Sequence, residues 1–443
     1  MTHVSAISRV AVVGAGAAGL AATKALRDAG LEVVCHERAD RPGGLWARDA
    51  TRTTSAYRSL HLNTSRGRTE FADFPMPADW PHFPSAEAVA GYLADYAERF
   101  GLHESLRLGS TVTALDRDDA TRDWLLTTDD GAAERFDAVV VANGHNWDPR
   151  WPEPAPPGPF DGTQLHAHDY EDPEVFRDRR VVVVGMGNSA MDIAVDASYV
   201  SAGPVLLSAR RGVHIVPKTL LGRPADATGA AMTVLPWRVR QVVAETLLRI
   251  AVGPPQRYGL PAPASGLFQN HPTISDTILH RLTHGEVEAR PGIARFEGDR
   301  VHFTDGRTDP ADVVVWATGY QVTIPFLAQR WTGGDPERLL LFKRVFHLDD
   351  PTLAFVGLMQ STGAALPVVE AQAKLAAAGF TARYPLPPAA AQRRDAERAL
   401  AAATRRWGDR RPAMRIDFDA YVAELGRELR GGSRGRRRAK VAA

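Results

Sequence analysis

The chain predicts an α/β fold of two doubly wound units, and three observations carry that expectation. Two glycine-rich turns, Gly14–Gly19 and Gly185–Ala190, each follow a valine-rich run and open a helix-forming stretch. They stand about 170 residues apart, with the proline-rich stretch Trp151–Pro159 between them. A second apolar run follows each helix, so both turns sit in β-α-β openings.

The elements follow in order. Arg9–Val13 reads as a buried strand, Ala17–Ala29 as a helix with Gly30 as its C-terminal cap, and Leu31–Glu37 as a second strand. Residues 41–68 are rich in Gly, Thr and Ser and read as irregular. Ser85 is placed as the N-cap of a helix over Ala86–Phe100, with Val89, Leu93, Tyr96 and Phe100 on one face. Leu108–Thr128 reads as strands and Phe136–Val141 as a buried one. Trp151–Pro159 holds five prolines in nine residues, which favours a stiff linker. Beyond it come a strand at Arg180–Val184, a helix at Ser189–Tyr199, a strand at Val205–Ser208 and a closing strand at Val313–Trp316. Pro367–Ala378 and Ala389–Trp407 read as helices, and Gly431–Ala443 as a disordered basic tail. The expected organisation is a first unit in two parts, residues 1–165 and 320–430, with a second unit inserted at 166–319 and a tail at 431–443.

Composition narrows the function. An apolar fraction of 44% in 443 residues suits a soluble chain with a large core. Lys and Arg (53) balance Asp and Glu (52), so charge points to no nucleic-acid partner. The longest apolar stretches are interrupted, as Ala244–Leu260 is by Glu245, Arg249, Pro254 and Pro255, so no membrane span is expected. The N-terminus lacks the basic-then-apolar layout of a signal peptide. A single cysteine, Cys35, excludes a disulfide framework and cysteine-pair redox chemistry, and a cytoplasmic setting is expected. His166 and His168 lack the further ligands of a closed metal site, so no metal is expected. A homo-oligomer is left open.

The two turns carry the chemistry. In Gly14-Ala15-Gly16-Ala17-Ala18-Gly19, Gly14 serves the tight turn, Gly16 lets backbone approach a pyrophosphate, and Gly19 lets helix and strand pack closely. The helix N-terminus offers N–H groups and partial positive charge to phosphates. Glu37 ends the second strand 18 residues after Gly19, where a carboxylate suits a ribose hydroxyl. Gly43-Gly44-Leu45-Trp46 follows, a glycine pair suited to close approach of backbone to a ligand. In Gly185-Met186-Gly187-Asn188-Ser189-Ala190, Ala190 takes the third glycine's place, which the fingerprint allows. The strand after it ends in Ser208-Ala209-Arg210-Arg211, with arginine where a 2′-phosphate would sit. Both units are therefore expected to be Rossmann-like dinucleotide-binding domains: FAD at the first turn, and NADPH in the inserted domain.

At this point the residues resemble the flavin-containing monooxygenases. Phe160, Gly162, His166 and Tyr170 match that family's linker signature, which ends in Trp in the related Baeyer–Villiger monooxygenases. Gly44-Leu45-Trp46, Leu62-Asn63-Thr64-Ser65 with Phe71–Pro75, Gly187-Asn188-Ser189, Ala317-Thr318-Gly319-Tyr320, Val356-Gly357-Leu358 and Glu370-Ala371-Gln372 match its other motifs, over roughly residues 9–380. Gly222–Gly319 is most similar to plant monooxygenases of auxin synthesis, through segments such as 289–293. The resemblance implies FAD reduction by NADPH, a C4a-hydroperoxyflavin formed with O2, and oxygenation of a nucleophilic N or S, or a carbonyl, of a small molecule. It implies Asn63 as the active-site amide, and adds Ala17, Ala18, Arg38, His61, Thr64, Thr318, Gly319, Tyr320 and Gln372 to the cofactor-lining set. His166 is expected to hold the linker through side-chain hydrogen bonds, and Tyr170 to pack. Three other readings stay open: a Baeyer–Villiger enzyme acting on a ketone, an uncoupled NADPH oxidase or flavin reductase, and a non-catalytic flavin-bound sensor. The ratio of oxygenated product to NADPH consumed separates them.

Overall fold

The computed structural model describes residues 7–48, 54–220, 222–231, 236–269 and 272–441. Its principal elements, in chain order, are β1 (Arg9–Val13), α1 (Ala17–Asp28), β2 (Glu32–Glu37), α2 (Ala86–Arg99), β3 (Leu106–Leu108), β4 (Ala138–Val141), β5 (Thr163–His166), β6 (Val181–Val184), α3 (Asn188–Ser198), β7 (Val205–Ser208), α4 (Ala225–Ala231), α5 (Trp237–Val252), β8 (Val287–Arg290), β9 (Val313–Trp316), β10 (Leu341–Phe342), β11 (Phe346–His347), β12 (Leu353–Phe355), α6 (Leu366–Phe380), α7 (Ala389–Trp407) and α8 (Phe418–Val441).

Two sheets organise the chain. The first runs β10-β11-β12-β4-β1-β2-β3, and the second β8-β7-β6-β9-β5. The first sheet thus takes strands from both sides of the second in sequence. Strand pairing is parallel from β12 through β3 and throughout the second sheet. Parallel strands covered on both faces read as continuous apolar runs, and Val10 to Val13 and Val181 to Val183 are all buried.

Each sheet divides its side chains in the same way. Val10 and Val12 join Leu20, Leu93 and Leu375 beneath the helices. Ala11 and Val13 join Leu115, Trp124 and Phe136 of a small antiparallel sheet on the other face. In the second unit Val181 and Val183 pack with Ile193 of α3, while Val182 packs with Phe296, Val301 and Phe303 of another antiparallel sheet. Successive residues pointing to opposite faces produce this layering.

Local signals explain the helix ends. The Ser85 hydroxyl accepts the Ala88 N–H at 3.2 Å, and Val89, Leu93 and Tyr96 are buried behind it. Gly30, with φ +87°, turns the chain out of α1, and Leu31 N–H closes the turn on the Leu26 carbonyl at 3.2 Å.

Two expectations need correction. Residues 163–166 form β5, paired in register with β9, so the second sheet begins before a boundary at 165/166. The strand is short and follows the prolines directly, which hides it from pattern reading. The stretch read as a disordered tail is helical through residue 441, as the end of α8, and residues 442–443 lie outside the described part. Phe418, Tyr421 and Leu425 are buried at helical spacing and anchor the first part of α8.

Candidate cofactor and active site

The first turn is crowded enough to require its glycines. Gly14 has φ +99°, and a Cβ there would stand 2.7 Å from the Ala142 carbonyl oxygen. A Cβ on Gly19 would stand 1.7 Å from the Gly14 oxygen. Gly16 is the N-cap of α1 and brings no side-chain cap, so the helix N-terminus keeps donors for a ligand. Gly43 N–H donates to the Ala15 oxygen at 2.9 Å, which draws the 43–46 turn onto the first. Gly44 then faces Gly16.

Glu37 is buried, and its carboxylate accepts Ala15 N–H at 2.7 Å and Ala39 N–H at 2.9 Å. It therefore shapes the turn itself, and each oxygen retains a second lone pair for a ribose hydroxyl. Trp46 packs against the core while Leu45 is exposed. Arg38 stacks over the Trp147 ring, 5.2 Å from its centroid. Ala18 lies against Gly357, where a Cβ would stand 3.1 Å from the Ala18 methyl.

Gln372 is fully buried, with its oxygen accepting Gly357 N–H at 2.9 Å and its nitrogen donating to the Arg344 oxygen (3.2 Å) and Tyr421 hydroxyl (3.1 Å). It stands behind the Gly357 turn, so its side chain reaches the site through that turn. His61 is exposed and its Nδ1 lies 2.9 Å from the Ser59 oxygen.

The second turn repeats the design with a difference. Gly185 has φ +143°, and a Cβ would lie 2.5 Å from the Ala317 oxygen and 3.2 Å from the Ala190 methyl. The missing Cβ of Gly185 is what admits Ala190, buried at the third position. Gly187 caps α3 without a side-chain bond, and a Cβ on it meets nothing within 4 Å. Asn188 accepts Ile274 N–H through Oδ1 at 2.8 Å, which fixes the turn to the 273–274 strand. Ser189 follows as the second residue of α3. Arg210 and Arg211 are exposed, and the Arg210 stem covers Gly292, where a Cβ would lie 2.8 Å from its Cγ.

The linker ties the units together. Phe160 packs on Phe296 (5.0 Å), and Gly162 has no room for a Cβ between that ring and the Asp312 oxygen. The Thr318 hydroxyl donates to the Arg150 oxygen, and Arg150 N–H donates to the Gly319 oxygen at 2.9 Å. Tyr320 pairs with Pro149 and meets His166 and His168 edge-on at 5.6 and 5.8 Å. His166 is fully buried, and its Nδ1 accepts His168 N–H at 3.0 Å, in keeping with its expected linker role. Tyr170 packs between Tyr57 and Phe176, as expected, and also donates to Asp196 at 2.6 Å.

Around these segments lie buried polar atoms with no hydrogen-bond partner among the described residues: Asn63 Oδ1, His145 Nδ1, His166 Nε2 and His168 Nδ1. Such atoms are costly unless a ligand or water completes them. Burial, then the nearby Arg411 charge, lowers His145 to about 4. Burial likewise lowers His166 and His168, so all three are neutral at pH 7 and able to hydrogen-bond a ligand. With the two crowded glycine turns, this set fits a flavin and a nicotinamide nucleotide. Among the described residues no three His, Cys, Asp or Glu side chains group to hold a metal ion, and no helix is long and apolar enough to cross a membrane.

Pattern reading missed the contacts that place Asn63. Tyr57 donates to Asp192 at 2.5 Å, Ser59 to Asp196 at 2.5 Å, and Ser65 N–H and hydroxyl to Asp226 at 2.7 and 2.9 Å. Thr64 bonds Thr69 at 2.8 Å, within the loop. Asp192 and Asp196 stand at i and i+4 on α3, so they share a face; that spacing was the available signal. Nothing local marks Asp226.

The comparisons agree with this geometry. The family model described as flavin-binding monooxygenase-like matches residues 7–431. Flavin-containing monooxygenase 5 of Oryctolagus cuniculus is 36% identical over 402 residues, covering 86% of this chain and 74% of that protein. Flavin-containing monooxygenase 3 of the same species is 30% identical over 444 residues, covering 94% and 82%. Among solved structures, S-allyl-L-cysteine S-oxygenase from Allium sativum is similar with a TM-score of 0.70 and 26% identity, over 96% of this chain and 89% of that one. Cyclohexanone monooxygenase shares the fold, with a TM-score of 0.73 at 19% identity over 97% and 98%. The two crowded turns, the linker signature and these relatives agree: the chain belongs to the flavin-binding monooxygenase-like family and is an FAD- and NADPH-dependent monooxygenase.

Proposed function

We propose that the protein oxygenates a soft nucleophilic nitrogen or sulfur of a small molecule, with Asn63 at the reacting centre. The observation that carries this reading is the buried, unpaired Asn63 Oδ1, on the loop held against the second unit by Ser65 and Asp226. FAD is assigned to Gly14, Gly16, Ala17, Ala18, Gly19, Glu37, Arg38, Gly44–Trp46, His61 and Thr64, and NADPH to Gly185, Gly187–Ala190, Arg210, Arg211 and Thr318–Tyr320. Bound there, the pair supplies hydride transfer and two-electron activation of O2, with one oxygen delivered to the substrate and the other leaving as water.

The chain's own residues position and protect. The first turn would hold the pyrophosphate by helix N–H groups, and Glu37, which fixes that turn through Ala15 and Ala39, would accept from the ribose. Asn63 would offer bound cofactor or substrate both a donor and an acceptor, its Oδ1 being buried without a partner among the described residues. The contacts of Tyr57, Ser59 and Ser65 with α3 and Asp226 hold the Asn63 loop against the second unit, and water kept out of the site would strengthen the polar contacts inside it. The Tyr170 ending of the linker signature and the similarity to an S-oxygenase favour sulfur or nitrogen over a ketone. A cytoplasmic setting accords with the single cysteine.

The test is stopped-flow absorbance of the NADPH-reduced holoenzyme mixed with O2, followed by product analysis. A near-ultraviolet-absorbing species that persists, and is consumed by sulfides or amines with about one product per NADPH, supports the reading. Direct return to oxidised flavin with stoichiometric H2O2, whatever the substrate, overturns it in favour of an oxidase. Esters or lactones from ketones, with sulfides and amines untouched, overturn it in favour of Baeyer–Villiger chemistry.

A further inference from the structure

The C-terminal segment brings guanidinium groups to the second nucleotide site. Helix α7 ends at Trp407 on Gly408 (φ +70°), and two residues of turn lead to Arg410 and Arg411. Arg411 has φ +53°, an unusual conformation for a side-chain-bearing residue, and such conformations persist where the surroundings impose them. The imposing contacts are visible. Arg411 donates to the Tyr320 carbonyl at 2.7 Å and pairs with Glu337 at 2.5 Å. Arg150 pairs with the same Glu337 carboxylate at 2.7 Å, and its N–H holds Gly319. The segment is thereby fixed to the Gly319–Tyr320 turn that closes the second sheet.

Arg410 is left over from this arrangement. Its surface is open to solvent, yet burial is the first cause that lowers its pKa and neighbouring guanidinium charges the next, and it has no hydrogen bond or ion pair among the described residues. It lies within electrostatic reach of Arg411, Arg150 and Arg211, with Glu337 as the carboxylate among these neighbours. Arg211 likewise has no carboxylate partner among the described residues, and it follows the end of β7 by three residues. That is where this fold presents the adenosine ribose and its 2′ substituent. Arg150 of the linker and Arg411 of the C-terminal segment share the Glu337 carboxylate, and Arg410 with Arg211 beside it adds positive charge that an anion would stabilise. The planar fork of arginine matches a phosphate monoester in particular.

We propose that Arg410, reaching across from the C-terminal part of the first unit, completes with Arg211 the site for the 2′-phosphate of NADPH. This rests on the assignment of NADPH to the second turn. It makes coenzyme choice a property of both units, the first unit helping to read the phosphate of a nucleotide bound by the second. Arg411 and Arg150 are positioning residues, occupied with Glu337 and the Gly319–Tyr320 turn, while Arg410 and Arg211 contact the ligand.

The test is calorimetric titration of the FAD-loaded protein with adenosine 2′,5′-bisphosphate and, separately, with 5′-AMP, for wild type, Arg410→Ala, Arg410→Lys and Arg211→Ala. Flavin spectra and Tm check that each variant is folded. Wild type binds the bisphosphate more tightly than AMP. Arg410→Ala weakens the bisphosphate by about tenfold or more and leaves AMP unchanged, as loss of a charge-assisted contact requires. Arg410→Lys retains part of the affinity, and the salt dependence of bisphosphate binding falls in Arg410→Ala. If Arg410→Ala matches wild type while Arg211→Ala loses the preference, Arg410 has no part in the site and the NADPH assignment survives. An equal loss for both ligands in Arg410→Ala also overturns the proposal. A wild type that does not prefer the bisphosphate overturns the NADPH assignment itself.

Discussion

Gly16 and Gly44 face each other so closely that a methyl group on Gly44 would stand 2.9 Å from the Gly16 Cα. The contact joins the phosphate turn to the 43–46 turn, and Gly44 also has φ +59°. Gly44→Ala therefore meets two penalties, about 1–2 kcal/mol for the left-handed backbone and a forced separation of the turns. The expected outcome is purified protein with much reduced flavin content, read as the ratio of visible to 280 nm absorbance. Full flavin occupancy with an unchanged Tm would show that the two turns do not share one ligand.

The second turn separates folding from binding within three residues. Gly185→Ala places its Cβ 2.5 Å from the Ala317 carbonyl oxygen at φ +143° and should destabilise the inserted unit. Gly187 has ordinary φ (−82°), and a Cβ on it meets nothing within 4 Å. Gly187→Ala should fold with wild-type Tm yet weaken NADP+ by roughly tenfold, about 1.4 kcal/mol, because the methyl occupies the pyrophosphate approach. Wild-type NADP+ affinity in Gly187→Ala would remove the dinucleotide from this turn.

The contrast between these glycines shows what was legible. Strand, turn and helix are local, and Gly14, Gly19, Gly185 and Ala190 sit where the fingerprint puts them because backbone crowding is encoded at fixed spacing. Asn63 was reached through a motif, but what holds its loop was not. Asp226 lies 161 residues from Ser65, on a short helix of the insert where no pattern repeats. Gln372 was assigned to the cofactor, yet its amide is taken up by Gly357, Arg344 and Tyr421. A sequence motif marks that a residue is needed and leaves open whether it touches the ligand or the backbone behind it. Short strands such as β5 and long-range ion pairs such as Arg240–Asp417 (2.8 Å) depend on partners that only the tertiary fold supplies.

The clasp between the units makes a stability prediction. Tyr57 donates to Asp192, and burial raises the Asp192 carboxyl above its ordinary value. Tyr57→Phe leaves that carboxyl without its donor and should cost roughly 1–3 kcal/mol. Asp192→Asn keeps an acceptor for Tyr57 and removes the buried charge. A raised acid favours the fold below its unfolded pKa, and that contribution is lost as pH rises through the folded value. Asp192→Asn should therefore be more stable than wild type at pH 7–8, with the advantage fading as pH falls into the ordinary carboxylate range. Denaturant midpoints across that span decide the matter: a difference that grows toward low pH has the wrong sign for a buried, raised carboxyl.

His145 should behave in the opposite sense. Its imidazole is lowered to about 4, first by burial and then by the Arg411 charge, and its Nδ1 is buried without a partner among the described residues. A histidine with a depressed folded pKa contributes stability that is present above the unfolded value near 6.5 and lost as pH falls toward the folded one. Between about pH 6.5 and 4 this residue alone should tilt the stability curve by up to about 1.4 kcal/mol per pH unit. His145→Asn cannot protonate there, so its denaturant midpoint should fall less steeply with acid than that of wild type, and the two curves should be parallel above pH 7. The same substitution changes a polar group beside Gly357 and Arg411, so weaker flavin binding at pH 8 would place His145 at the cofactor. Unchanged flavin binding with a flattened acid limb would make it a buried neutral histidine of the fold. Parallel curves at every pH would mean that His145 titrates as an exposed imidazole, contrary to the environment described for it.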